Sequence, residues 1–460
     1  MKGDFTRNTF DPTNHFSRVL MQQGRVQLDA DGNEQAAILL HYLQALAADL
    51  IGPHAGPYGA VGFEIGAGTS TEQGFTIGAG RYYVNGILCE NEEKFDEKYQ
   101  PIPVTYYSQP DYPDPLELRG GPFLVYLDVW ERHLTYIQDP EIREVALGGP
   151  DTSTRAKIVW QVKAEPNVNS CPNDDDWSKI VARWQPQNHG MLQAGTKEFE
   201  VDESTEPCTV PAESKYRGAE NQLYRVEIHT SGPKGQATFK WSRENGSVVF
   251  PILKLSGGVL TVEHLEEVAL EHLGRDDRFS LREGDWVEIV DDGITLRGEV
   301  LPLLQVKSID RDRLVVALEV PANLRLPSYD ETTTSHPLLR RWDHKKLDPT
   351  LGYPEIADDG ALMVAEDNGL LLEDGIQIYF ESAQQGDPHT YRTGDYWLIP
   401  ARTGTGDVEW PGPKDAPESR PPLGVYHSYA PIAILADGGG PVIADCRREI
   451  NQLWTSPPAD

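Results

Sequence analysis

Carboxylates beside tryptophans are the residues of this sequence best suited to chemistry. Asp128 and Glu131 flank Trp130, and Glu244 follows Trp241; glycoside hydrolysis needs two such carboxyl groups near aromatic platforms. The same segments support a second explanation. Trp130-Glu131-Arg132 and Trp241-Ser242-Arg243-Glu244 each set an arginine two residues after a tryptophan, where an ion pair and a stacking contact at a sheet edge use the same residue types. The second explanation is preferred, so no catalytic residues are assigned and the chain is not expected to be an enzyme. A glycoside hydrolase-like activity is kept as the remoter alternative. No nucleophile elbow, phosphate-binding loop, HExxH or dinucleotide fingerprint occurs. His133, His229, His264, His272, His336, His344 and His427 are scattered without metal-ligand spacing, although His336 and His344 share an arginine-rich segment. The four cysteines, Cys89, Cys171, Cys208 and Cys446, contain no CxxC pair, and neither metal nor cofactor is expected. Cys171 and Cys208 sit in polar, proline-flanked loops, leaving open a disulfide in an oxidising medium or separate thiols in the cytosol.

Two further patterns have binding interpretations. Asp29-x-Asp31-x-Asn33-Glu34 alternates oxygen ligands as a calcium loop does, but Asp31 followed by Glu34 also has the form of a helix capping box. The cap is preferred, because a calcium loop spaces its glycine and terminal glutamate further apart. Tyr82, Tyr83 and Trp410, with Tyr106, Tyr107 and Tyr112, are candidates for stacking on sugar rings. Packing is favoured over that use, since neighbouring strand residues place one ring in the core and one outside.

The elements that would position these residues follow from periodicity. From Asn33 to Ile51, Leu39, Leu43, Leu46 and Leu50 recur at helical spacing, with Ile38 and Tyr42 widening the stripe on the same side. Gly52-Pro53 ends this helix. Ahead of it lies an arm punctuated by Phe5, Phe10 and Phe16, apolar knobs without strand periodicity that suit either self-packing or a partner. The remainder is mainly β, read as small sandwich or barrel modules. Residues 1–52 form the arm and docking helix, and 53–118 a small β module whose Val84-Asn-Gly-Ile87 step predicts a type I′ hairpin. Residues 119–275 form a main sandwich interrupted by a polar excursion over 166–217, 276–330 a small barrel, and 331–460 a C-terminal β domain that opens with a linker carrying Arg340-Arg-Trp-Asp343. Arg282-Glu-Gly-Asp-Trp286 and Arg392-Thr-Gly-Asp-Tyr396 echo one another ahead of predicted strands and are read as convergent turns.

The segment Met21-Gln-Gln-Gly-Arg-Val-Gln-Leu-Asp-Ala-Asp-Gly-Asn-Glu-Gln35 resembles the amino-terminal signature of an uncharacterised family encoded in bacterial contractile injection system and phage-tail-like gene clusters. Val129-Trp-Glu-Arg132, Arg143 to Thr152, Glu220 to His229, Phe239 to Val248 and Asp395 to Arg402 resemble further blocks of that family. Gly32 departs from the pattern, which has an aromatic residue there. The resemblance implies a particle component and carries no catalytic residues.

Composition narrows the partners. With 41 Lys and Arg against 72 Asp and Glu, the 460-residue chain has a net charge of −31, which repels phosphate backbones and anionic lipid and argues against nucleic-acid or membrane partners. No apolar run approaches membrane-spanning length and no secretory signal is apparent. The expectation is a structural subunit made and assembled in the bacterial cytoplasm, extracellular within a released particle. It would be homo-oligomeric, as trimers or six-fold-related copies, and dock through Phe5, Phe10, Phe16, Leu39, Leu43, Leu46 and Leu50. A carbohydrate- or receptor-binding tail protein is the alternative.

Overall fold

The computed structural model describes residues 1–68, 74–185, 188–196, 215–256, 265–322, 324–330, 332–383 and 388–451. The fold is mainly β and multidomain. Instead of five consecutive domains, the chain forms two compact units built from separated segments: residues 1–8, 135–154 and 186–424 in one, and 9–134, 155–185 and 425–460 in the other.

The first unit holds a sandwich and a barrel. A five-stranded sheet runs in the order Leu362–Met363, Thr238–Ser242, Gln222–Ile228, Tyr396–Arg402, Asp407–Val408, and a three-stranded sheet in the order Met191–Thr196, Ile376–Glu381, Gly369–Leu371. Alternation delivers Tyr224, Val226, Phe239 and Trp397 from one sheet and Leu192, Ile376, Ile378 and Phe380 from the other into a common core. The barrel is closed by six antiparallel strands, Val249–Leu255, Leu265–Leu270, Val315–Glu319, Leu304–Asp310, Trp286–Val290 and Leu338–Trp342. It therefore exceeds the expected 276–330, and the expected linker at Arg340 to Asp343 supplies most of its closing strand. Closure requires Leu338–Trp342 to pair with both Val249–Leu255 and Trp286–Val290, removing two open edges.

The first α-helix of the second unit is α1, Asp29–Ile51. Its four-stranded antiparallel sheet has the order Arg155–Pro166, Phe123–Leu134, Ser428–Leu435, Val442–Asp445. One face buries Phe123, Val125, Leu127 and Val129 against Phe63, Phe75, Tyr82 and Tyr106 of the small β module. Part of the expected polar excursion is ordered here as helix α2, Asp174–Trp184, because Asn173 caps the Asp176 N–H at 2.9 Å and three acids occupy the first turn. Trp184 stacks on Tyr126 at 4.1 Å on the sheet face opposite that core. The disulfide joins Cys171 to Cys446, not to Cys208, which lies outside the described residues.

Candidate docking surface

Helix α1 starts earlier than its apolar periodicity suggested. Leu28 is the N-cap, in extended backbone, so Asp31 is the third helical residue and not the cap; its carboxylate accepts the Leu28 N–H at 3.4 Å. Glu34 is not the returning member of a box, since it accepts from the Thr9 hydroxyl. Asp29 and Asp31 suit the positive end of the helix dipole. Asp29, Asp31 and Asn33 do not converge as a calcium loop requires, because helical residues two apart point to different sides. Among the described residues no group of three or more His, Cys, Asp or Glu is placed to hold a metal ion. At the other end Gly52, at φ +87°, returns its N–H to Ala48 at 2.8 Å.

One face of α1 is fastened to its own unit. Ala30 and Ile38 are buried, Gln35 accepts the Val19 N–H at 2.9 Å, and His41 meets the Phe10 ring at 5.8 Å. The predicted hairpin supplies the seat: Asn85 and Gly86 both have positive φ, and a Cβ at Gly86 would lie 2.3 Å from the Gln44 carbonyl oxygen. Ile38 is thus buried where the leucines it was expected to flank are exposed. The adjoining face is open. Leu39, Leu43, Leu46 and Leu50 are 53, 64, 57 and 59 % exposed, and Leu40 and Tyr42 beside them are exposed too. Phe16, Leu20, Met21, Val26 and Leu28 add exposed apolar surface along the approach to the helix. Phe10, His15, Phe16, Glu34, His41 and Tyr42 line a small cavity of about 190 Å³ between arm and helix. Gly32 is exposed with open space where a Cβ would stand, so a larger residue there would extend the solvent-facing surface. Exposed apolar patches of this kind mark interaction sites more often than scattered leucines do.

The expected docking residues separate. Phe10 is partly occupied by His41, while Phe16 is free to solvent on its larger part. Phe5 belongs with residues 1–8 in the first unit, where its ring lies over Gly3. Those residues are held by an interior charge network. Lys2 pairs with Glu227 at 2.9 Å; Glu227 also takes Arg225 at 2.5 Å; Lys240 reaches Glu288 at 2.7 Å; and Asn245 donates to the Gly3 carbonyl at 2.9 Å. Burial would raise the Glu288 carboxyl, but Lys240 and His229 hold it down at about 2, and burial lowers the Lys2 ammonium to about 8. Phe5 is consequently part of an internal anchor rather than of the open surface.

The other candidate sites are dispersed. Tyr82 is fully buried, its hydroxyl bonded to His54 Nδ1 at 3.0 Å and accepting the Arg448 N–H at 3.1 Å, so its ring offers no sugar platform. Tyr83, on the alternate face, is half-buried. Trp410 belongs to the other unit, packs against the sandwich core and donates to the Glu418 carbonyl at 2.8 Å. Asp128 is buried between His427 at 2.6 Å and Lys163 at 2.7 Å; burial opposes its ionisation, but those partners hold its carboxyl below the usual range. Glu131, an odd number of residues along the same strand, points to the opposite face. Glu244 lies in the first unit, salt-bridged to Arg278 at 2.6 Å, with burial and then Asp343 and Asp4 pushing its carboxyl up to about 7. Arg243 pairs with Glu373 at 2.7 Å.

A family of unknown function, DUF6519, matches residues 1–173 and 179–451. The chain belongs to that family. No curated protein and no solved structure matches it. The match to DUF6519 takes in α1 and both units, so the open helix lies within the family's own region. Sequence periodicity found the leucine stripe but missed that Ile38 and the leucines part company. The Asn85-Gly86 hairpin beneath Gln44 carried that information without naming its neighbour.

Proposed function

We propose that this chain is a structural subunit of a phage-tail-like contractile injection particle, docking through the leucine face of α1 and the adjoining arm as an adaptor, decoration or fibre-like element. The observation that carries the reading is the division of α1: one face is fixed on its own unit while four leucines at helical spacing stand in solvent. The signature segment that resembles proteins of such gene clusters leads into this surface, with Met21, Val26 and Leu28 exposed. Burying an exposed leucine stabilises an interface by roughly 1.5–3 kcal/mol at full burial, and repetition around a symmetric particle multiplies a weak contact through avidity. Baseplate, tail and sister subunits are the partners proposed.

Among the described residues no helix is long and apolar enough to cross a membrane. Assembly in the bacterial cytoplasm followed by exposure in a released particle fits the Cys171–Cys446 bridge, since disulfides persist in oxidising surroundings. The test is copurification from a strain that makes the particle. Replacing Leu39, Leu43, Leu46 and Leu50 together by serine should leave a folded chain that no longer travels with the particle, and undiminished association would overturn the proposal.

A further inference from the structure

We infer that α1 docks on the α1 of a second copy of this chain, in antiparallel orientation; this names the partner for the surface proposed above and rests on that reading. The spacing of Leu39, Leu43, Leu46 and Leu50 is four, three, four, the repeat of a helix-to-helix seam, and all four positions are open to solvent. Charge decides the occupant. A chain carrying −31 repels its own copies over most of its surface, yet from Gln35 to Ala48 it has no Asp, Glu, Lys or Arg. A face made for a basic partner would be acidic, whereas this face removes the like-charge penalty that two copies would otherwise meet.

The direction follows from the same positions. Pairing Leu39 with Leu50 of the second copy also pairs Leu43 with Leu46, because 39 + 50 and 43 + 46 are equal. Asp49 then lies opposite Leu40 of the second copy, and Asp29, Asp31 and Glu34 fall beyond the end of its helix at Ile51. A parallel pair would instead set each acid against its own counterpart. Antiparallel helices also oppose their dipoles favourably. The seam is short, so the pair is weak in isolation and gains from repetition.

Sedimentation of the full chain across roughly 1 µM to 1 mM, where weak pairs assemble, tests this directly. The unaltered chain should dimerise with concentration. Leu43→Glu alone and Leu46→Lys alone should each raise the dissociation constant by roughly 30-fold or more, as loss of a central apolar anchor does. Mixing the two variants should restore dimers, since position 43 of one faces position 46 of the other while the remaining leucine pair is intact; this rescue also shows that both variants are folded. A monomer throughout, a dimer indifferent to both substitutions, or no rescue on mixing would each overturn the antiparallel pair. Copurification with the particle separates the two readings: a monomeric chain whose particle association is lost on these substitutions refutes pairing and leaves docking standing, and lost dimers with retained particle association does the reverse.

Discussion

Replacing Ile38 and Leu43 by alanine in separate variants probes the two faces of one helix with nearly the same chemistry. Ile38 is 2 % exposed, so its truncation removes buried apolar contacts and leaves a cavity, at a cost of about 2–5 kcal/mol. Leu43 lies five residues further along, on the open face. Alanine there has a slightly better helix propensity, and the substitution should stay within about 0.5 kcal/mol of neutral. For a body of this size each kcal/mol moves the melting midpoint by about 2–4 °C, so Ile38→Ala should lower it by at least about 4 °C and Leu43→Ala by little. Urea unfolding followed by tryptophan fluorescence, at protein concentrations low enough that association adds nothing to the folded state, supplies the free energies. Equal destabilisation by the two substitutions would refute the reasoning: the leucines would then be holding the chain's own fold, and the docking surface would disappear with them.

Two other perturbations address the unit that carries α1. Burial first, and then the Arg448 charge, lowers His54 to about 4; its folded pKa is therefore below the unfolded value, so its neutral form contributes stability that is present above about pH 6.5 and lost as pH falls towards 4. The loss approaches about 3 kcal/mol, and His54→Gln, which keeps an acceptor for the Tyr82 hydroxyl, should flatten stability against pH across that window in urea titrations; an unchanged slope contradicts the assignment. Reducing the Cys171–Cys446 bridge, which spans 275 residues, should cost about 2–4 kcal/mol by freeing the unfolded chain. Calorimetry should show a reductant-sensitive midpoint in the natural chain and a low, reductant-insensitive one in Cys446→Ser, whereas a natural chain indifferent to reductant speaks against the bridge.

Local signals in the sequence were reliable where one interaction decides the conformation. The Asn85-Gly86 turn, the Gly52 stop and the long strands around Leu127 and Val159 each follow from residues within a few positions. The paired echoes are turns of the same kind, with Asp285 donating to the Arg282 carbonyl and Asp395 to that of Arg392, and with Gly284 and Gly394 at φ +87° and +88°. They precede strands of different sheets. The failures were set by distant partners. Arg340 to Asp343 reads as a charged linker because the partners that make it a strand lie near residues 249 and 288. Cys171 found Cys446 because the return of the Ser428–Leu435 and Val442–Asp445 strands to this sheet is not written near either cysteine. Consecutive domain boundaries failed for the same reason, since both units draw on separated segments.

The arm and helix also distribute charge and apolar surface against the usual preference. Lys2, Arg225, Glu227, Lys240 and Glu288 are gathered into the interior of one unit, while the leucines of α1 stand outside the other. The interior cluster is a poor source of net stability, because desolvation offsets most of its attraction. It holds the start of the chain through Lys2 and the Gly3 carbonyl, while the chain from Thr9 onward belongs to the other unit. The exposed leucines contribute almost nothing to the free monomer, and an apolar stripe in solvent favours aggregation unless something covers it. On the proposed docking its energetic return arises on association. The charge-free stretch from Gln35 to Ala48 makes that association open to a chain as acidic as this one, which is why the neutral face, more than the leucines alone, points to another copy as the partner.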